Sequence, residues 1–177
     1  MDDSALIKDC LSGNVRAQKT LFDRFAPKML GVCMRYCKSK EQAEDVLQDG
    51  FVKVFLKLSE FKNEGSFEGW IRKIMVNTSL DSLRKEMKIS ADVDLEFAAN
   101  QSESESVVAE LSAAEIVQLI SAMPDGYRVV FNLFAIEGYS HQEIADTLGI
   151  TESTSKSQYS RARAYLRKKL EKEEIGR

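Results

Sequence analysis

A chain of 177 residues, 44% apolar and 30% charged, carries enough apolar side chains for one or two small cores. No run reaches the roughly 18 apolar residues of a membrane helix, and the opening "MDDSALIKDC" lacks the basic start and apolar stretch of a signal peptide, so a cytoplasmic chain without membrane insertion is expected. A single histidine, no phosphate-binding glycine loop and no nucleophile elbow argue against catalysis and against a cofactor, because a Cys or Ser nucleophile would need His141 as its usual base.

Residues 4–88 read as helices. In "AQKTLFDRFAPKMLGVCMRYC", Leu21, Phe22, Phe25, Met29, Leu30 and Cys33 share one side. The three cysteines, Cys10, Cys33 and Cys37, are an odd number, which disfavours a disulfide framework. Cys33 and Cys37 are four apart on one helix face, but a structural zinc wants four Cys or His ligands and His141 is distant. They read as buried thiols used as small apolar groups, with no metal.

In "EQAEDVLQDGFVKVFLKL", Ala43, Leu47, Phe51, Val54 and Leu58 form the expected buried stripe. The other side shows Asp45, Gln48, Asp49 and Val52, a polar surface with an apolar spot suited to a protein partner. Lys62–Ser66 reads as a loop between helices. The helix after it offers Phe67, Ile71, Ile74 and Leu83 to a core. Trp70, Asn77, Asp81 and Arg84 recur at spacings of seven, four and three, on a second stripe. A Trp with Asn and Arg on one face can stack on and hydrogen-bond an unpaired base. On residue chemistry alone Trp70 fits the core better.

The charge is unevenly placed. Residues 1–88 hold 16 Lys/Arg against 13 Asp/Glu, residues 89–127 hold eight acids and no base, and residues 128–177 hold nine bases against seven acids. The middle, rich in Ser, Ala and acids, lacks a clear apolar period and reads as a mobile linker over residues 89–110. It is either a plain solvated spacer or an acidic strap that mimics a nucleic-acid backbone or repels DNA until a partner captures it.

Residues 111–177 form the second expected domain, of four helices. Ile116, Leu119, Ile120 and Met123 lead to a Pro124-Asp-Gly turn, and Val129, Val130, Leu133 and Phe134 point inward on the next helix. Ser140 and Glu143 make a capping box. His141 just inside that cap reads as a surface residue. Ile144, Ala145 and Leu148 are one apolar face, Gly149 is a C-cap residue suited to positive φ, Ile150 plugs the core, and Thr151 can cap the next helix.

On that last helix Ser155, Tyr159, Ala162, Leu166 and Leu170 form one buried stripe. The opposite face carries Ser153, Ser157, Ser160, Arg161, Arg167 and Lys168, with Lys156 and Arg163 flanking. Small hydroxyls with Arg and Lys approach base edges and phosphates closely. Because the N-terminal part of a recognition helix meets the bases, Lys156, Ser157, Ser160 and Arg161 are base-proximal candidates. Arg163, Arg167 and Lys168 suit phosphates.

Taken together, the whole chain resembles an extracytoplasmic-function (ECF) sigma factor of the sigma-70 superfamily. "AEDVLQDGFVKVF" is similar to the region 2 helix that docks on RNA polymerase, "FKNEGSFEGWIRKIMVNTSLDSLRK" to the promoter-melting loop and helix, and "MPDGYRVVFNLFAIEGYSHQEIADTLGITESTSKSQYSRAR" to region 4, which reads the -35 element. The resemblance implies an all-α fold with region 2 at 1–88 and region 4 at 111–177. It implies that the segment holding Asp45, Gln48, Asp49, Phe51 and Val52 engages core polymerase, and of these Phe51 is structural by its spacing. It also implies that the loop Phe61 to Ser66, including Lys62 and Asn63, captures a flipped base of the -10 element, with Asn77 beside that pocket.

Trp70 stays open between core and DNA, and Arg84 shares its stripe. Lys156, Ser157, Ser160 and Arg161 match the -35-reading face. Core RNA polymerase, promoter DNA and an anti-sigma protein are the implied partners of a chain that is monomeric when free. The sequence departs from the family pattern at Ser153 and Ser155, commonly Gly and Val, and at Gln158, where Arg is frequent. Ser155 places a hydroxyl in the buried stripe, where it can bond back to a carbonyl of its own helix. A free-standing helix-turn-helix regulator and a protein-interaction adaptor are the competing classes.

Overall fold

A computed structural model describes residues 3–89 and 113–175. Among the described residues all regular structure is helical, in two compact units lying to either side of residues 90–112. The expected linker lies outside the described residues apart from Ile89, which ends a helix.

The first unit holds α1 (Asp3–Leu11), α2 (Val15–Met34), α3 (Lys40–Lys57), a 3-10 turn (Leu58–Glu60) and α4 (Phe67–Ile89). Local chemistry sets the helix starts. The Asn14 side chain accepts from the N–H groups of Arg16 at 3.0 Å and Ala17 at 3.2 Å, two of the orphan donors that open α2. Ser39 does the same for α3, accepting from the Gln42 N–H at 3.2 Å. The expected stripes then meet. Leu21, Phe25, Met29 and Cys33 of α2 and Ala43, Leu47, Phe51 and Val54 of α3 are all buried, and α4 adds Ile71, Met75, Val76 and Leu80. Ile74 is only half-buried; the neighbouring Met75 takes the core position instead.

None of the three cysteines is in a disulfide, all are buried, and burial pushes the Cys33 thiol up to about 11. Helices α3 and α4 approach closely at Gly50, where an added Cβ would run into Sδ of the fully buried Met75 and lie 3.0 Å from its Cε. Gly50→Ala is therefore expected to destabilise the chain by up to about 2 kcal/mol: overpacking costs about 1–3 and the helix-propensity gain returns about 1. A urea titration that finds the variant as stable as the parent would show that Met75 repacks freely.

The second unit holds α5 (Ala113–Ser121), α6 (Asp125–Phe131), α7 (His141–Leu148) and α8 (Glu152–Ile175). Helix α6 does not end at Phe131 but widens into a π-helical turn over Asn132–Ile136, marked by the Glu137 N–H donating to the Asn132 carbonyl at 2.9 Å. Ile120, Met123 and Ala162 form a buried cluster to which Tyr127, Phe131, Tyr165 and Leu166 add half-buried surface. Val129, Val130, Leu133 and Ile144 are buried as well, whereas Phe134 is half-buried and Ile116 is 45% exposed.

A charged side chain lies within this core. Arg128 is 1% exposed, donates to the Ser121 carbonyl at 3.2 Å and pairs with Asp125 at 2.8 Å. Burial of a guanidinium is tolerated only with such partners.

Candidate nucleic-acid interface

The α7–turn–α8 segment is built by its caps. Ser140 Oγ accepts from the Glu143 N–H at 3.2 Å while Glu143 accepts from the Ser140 N–H at 2.8 Å, closing the expected box. Gly149 takes φ 69°, the left-handed conformation that ends α7, and Thr151 Oγ1 accepts from the Thr154 N–H at 3.0 Å to start α8. Ile144 and Ala145 are buried, and Ile150 is half-buried rather than a full core plug.

Along α8, Ser155 and Ala162 are buried, and Tyr159, Leu166 and Leu170 are half-buried. Lys156, Ser157, Ser160, Arg163 and Lys168 are exposed, and Arg161 and Arg167 are half-buried. At about 100° per residue Ser157, Ser160, Arg161, Arg167 and Lys168 lie on the side away from the stripe, and Lys156 and Arg163 flank it.

Two expectations are corrected. Ser155 does not return its hydroxyl to its own helix: it lies 2.9 Å from Nδ1 of His141. His141 is not a free surface residue. Its ring stacks on Phe134 with centroids 4.3 Å apart, meets the edge of Tyr159 and is half-buried. The cause is tertiary, since the π turn presents Phe134 to α7 and the packed His141 ring brings Nδ1 within reach of the Ser155 hydroxyl.

Two further side chains alter the reading face. Lys156 Nζ is 2.6 Å from Glu152, one turn earlier, and that hydrogen bond and charge hold the Glu152 carboxyl below its usual range. Gln158 lies against α6, where a Cβ at Gly126 would be 3.1 Å from its Oε1.

In the first unit the loop before α4 borders an open cleft of about 320 Å³. Phe61, Asn63 and Ser66 line it from the loop side. Asn63 has φ 58° and Gly65 φ 103°, so the loop turns through two left-handed residues. Ser66 Oγ also accepts from the Gly69 N–H at 3.0 Å, capping α4. Phe61 leans on Phe67 and Trp70, with centroids 5.0 and 5.5 Å away, and Phe67 stacks on Trp70 at 5.9 Å. Trp70 is thus half core: it is half-buried and braces the loop from below.

Lys62 is exposed within the loop. Asn77 and Arg84 are exposed on α4 but do not line the cleft. At ~1.5 Å per residue Arg84 lies about 20 Å along the helix from Trp70. It pairs at 3.0 Å with Asp81, which also meets Lys53 at 3.2 Å. The far wall of the cleft is Asp3, Arg24 and Phe25, none of them singled out from the sequence as site residues.

On α3, Asp45, Gln48, Asp49 and Val52 are exposed on one side, and Phe51 is buried. Leu56, 76% exposed, extends the row one turn beyond Val52, itself 58% exposed. Helical spacing from Val52 would have found Leu56.

The fold and site so far define a two-unit, all-helical protein with a helix-turn-helix. Comparison with known proteins narrows this. The family model for Sigma-70 region 2 matches residues 21–89 and that for Sigma-70, region 4 matches residues 113–166. The ECF RNA polymerase sigma factor SigW of Bacillus subtilis is 30% identical, over 93% of this chain and 94% of its own. The RNA polymerase sigma-H factor of Pseudomonas aeruginosa is 27% identical over 96% and 94%.

Two solved structures share the fold. They are CnrH in complex with the cytosolic domain of CnrY (TM-score 0.50, 24% identity, 96% of this chain and 97% of that one) and the Bartonella quintana sigma factor RpoE with the anti-sigma factor NepR (TM-score 0.55, 22% identity, 89% and 98%). The chain belongs to the ECF group of the sigma-70 family.

Proposed function

We propose that this chain is a dissociable specificity subunit of bacterial RNA polymerase, working in the cytoplasm as a monomer when free, with no catalysis of its own. The observation that carries the reading is the presence of both sigma-70 regions in order, each on its own helical unit. No described helix is long and apolar enough to cross a membrane.

The exposed row Asp45, Gln48, Asp49, Val52 and Leu56 docks on core polymerase. The outer arc of α8 reads the -35 element: Lys156, Ser157, Ser160 and Arg161 meet base edges, and Arg163, Arg167 and Lys168 meet phosphates. Phe61, Lys62, Asn63 and Ser66 hold an unpaired -10 base, Trp70 braces them, and Asn77 and Arg84 steer the strand along α4. The domain limits that go with these roles are 1–88, 89–110 and 111–177. An anti-sigma protein would mask the polymerase-facing and DNA-facing surfaces.

Energetics agree with a subunit rather than a solitary regulator. Unstacking about five base-pair steps costs about 7 kcal/mol at ~1.4 kcal/mol per step. Stacking two captured bases returns only about 2–6 kcal/mol. A chain of net charge -3 has little nonspecific DNA affinity to add. The larger enzyme supplies the difference through contacts made to opened DNA.

The test is run-off transcription from promoters selected out of a random-sequence library, with and without core polymerase. Selective transcripts are expected only with both present; tight binding of duplex DNA by the chain alone, as a dimer on a palindrome, would favour a free-standing regulator. In the same assay Arg161→Ala is expected to cost about 1–3 kcal/mol of discrimination at particular -35 bases while core binding is unchanged. Equal loss of core binding would remove Arg161 from the reading face.

A further inference from the structure

The cleft beside the 61–66 loop carries a feature that the base-capture reading does not use. Two cations sit one turn apart on α2, and each is held by a carboxylate from another helix. Arg24 Nη1 is 2.8 Å from Asp3 Oδ1, and Lys28 Nζ is 2.8 Å from Glu68 Oε2. Arg24, Asp3 and Glu68 all line the cleft, and the Arg24 guanidinium lies over the Phe25 ring, 5.0 Å from its centroid.

Each side chain of the two pairs is substantially exposed, 45% and 39% for Arg24 and Asp3, 66% and 43% for Lys28 and Glu68, although Asp3 Oδ1, the atom that meets Arg24, is itself covered. Pairs this exposed contribute little to stability and are readily exchanged for a better anion. Residues four apart on a helix hold their charges side by side, about 5–6 Å between Cβ atoms, so both face one extended anionic chain. A phosphodiester is such a chain, and Arg binds phosphate in a fork geometry that a carboxylate shares.

We propose that Arg24 and Lys28 are phosphate contacts for the single DNA strand whose base enters the cleft, and that Asp3 and Glu68 stand in for those phosphates in the free chain. The proposal rests on the sigma reading above. The carboxylates keep the cleft neutral until a strand arrives, so α2 gains no general affinity for duplex DNA. Binding then exchanges two intramolecular pairs for two phosphate contacts and frees Asp3 and Glu68 to water. A purely structural role, tying α1 and α4 to α2, makes the opposite prediction for the carboxylates.

The experiment uses holoenzyme reconstituted from core polymerase and the full chain. The probe is a duplex, pre-melted over the -10 region, carrying a promoter that the wild-type holoenzyme selects from a random library. Its Kd is measured as a function of KCl. Arg24→Ala and Lys28→Ala should each weaken binding about fivefold and lower the slope of log K against log salt by about 0.7. Arg24→Lys should keep the slope. Asp3→Asn and Glu68→Gln should tighten binding.

The signature is the opposite sign of the Arg24 and Asp3 variants. Shifts in the same direction, tracking melting temperature, would reduce the pairs to helix ties and overturn the inference. Should Arg24→Ala fail to fold, Lys28→Ala against Glu68→Gln poses the same question of sign. A wild-type holoenzyme that selects no promoter would instead bring down the functional reading itself.

Discussion

Replacing Arg128 by Ala is expected to lower the stability of the second unit by about 3 kcal/mol and its melting temperature by about 10–20 °C. Three losses add. The guanidinium, 1% exposed, leaves a void beside the end of α5 and the first turn of α6. The Ser121 carbonyl loses a donor. Asp125 loses its partner but stays in the first turn of α6, where the helix dipole favours a negative charge and solvent reaches it, which keeps the total near the lower end for broken buried pairs. Arg128→Met, which fills the space without a charge, should recover part of the loss. Scanning calorimetry on the full chain checks this: the transition of the second unit should move and that of the first should not. A shift under about 3 °C would show that the buried charge is dispensable.

The second large effect is on assembly and leaves the fold alone. Val52→Glu and Leu56→Glu change side chains that are 58% and 76% exposed, so each should alter stability by less than about 0.5 kcal/mol. If the α3 row docks on core polymerase, each apolar side chain is an anchor worth about 2 kcal/mol or more, and each substitution should weaken core binding about 30-fold. Titrating labelled chain with core polymerase reads this directly. Unchanged affinity in the double variant, with an unchanged thermal melt, would move the docking surface elsewhere.

What could be read from the sequence was whatever is local. Ser140 with Glu143, Gly149 and Thr151 announce a helix, a turn and a helix, because caps satisfy backbone groups within three or four residues. The stripes of α2 and α3 could be read because burial follows the helical period. The outer arc of α8 was found by the same count. Partners far apart in sequence were missed. Arg24 meets Asp3 across 21 positions, His141 meets Ser155 across 14, and Arg128 looks like any surface arginine until α6 buries it against the end of α5. The π turn was invisible because one widened turn leaves no mark on residue pattern. Asn77 and Arg84 share a stripe with Trp70, but a stripe fixes azimuth and not height, so they stand along the helix from the cleft.

The polar contact between Ser155 and His141 bears on how robust the reading head is. A hydroxyl both gives and takes a hydrogen bond, so Ser155 can donate to a bare Nδ1 or accept from a protonated one. The hinge between α7 and α8 therefore keeps its latch with either tautomer of the ring. A valine in that place would grip through shape alone, while an aspartate, able only to accept, would fasten only the tautomer that carries its proton on Nδ1.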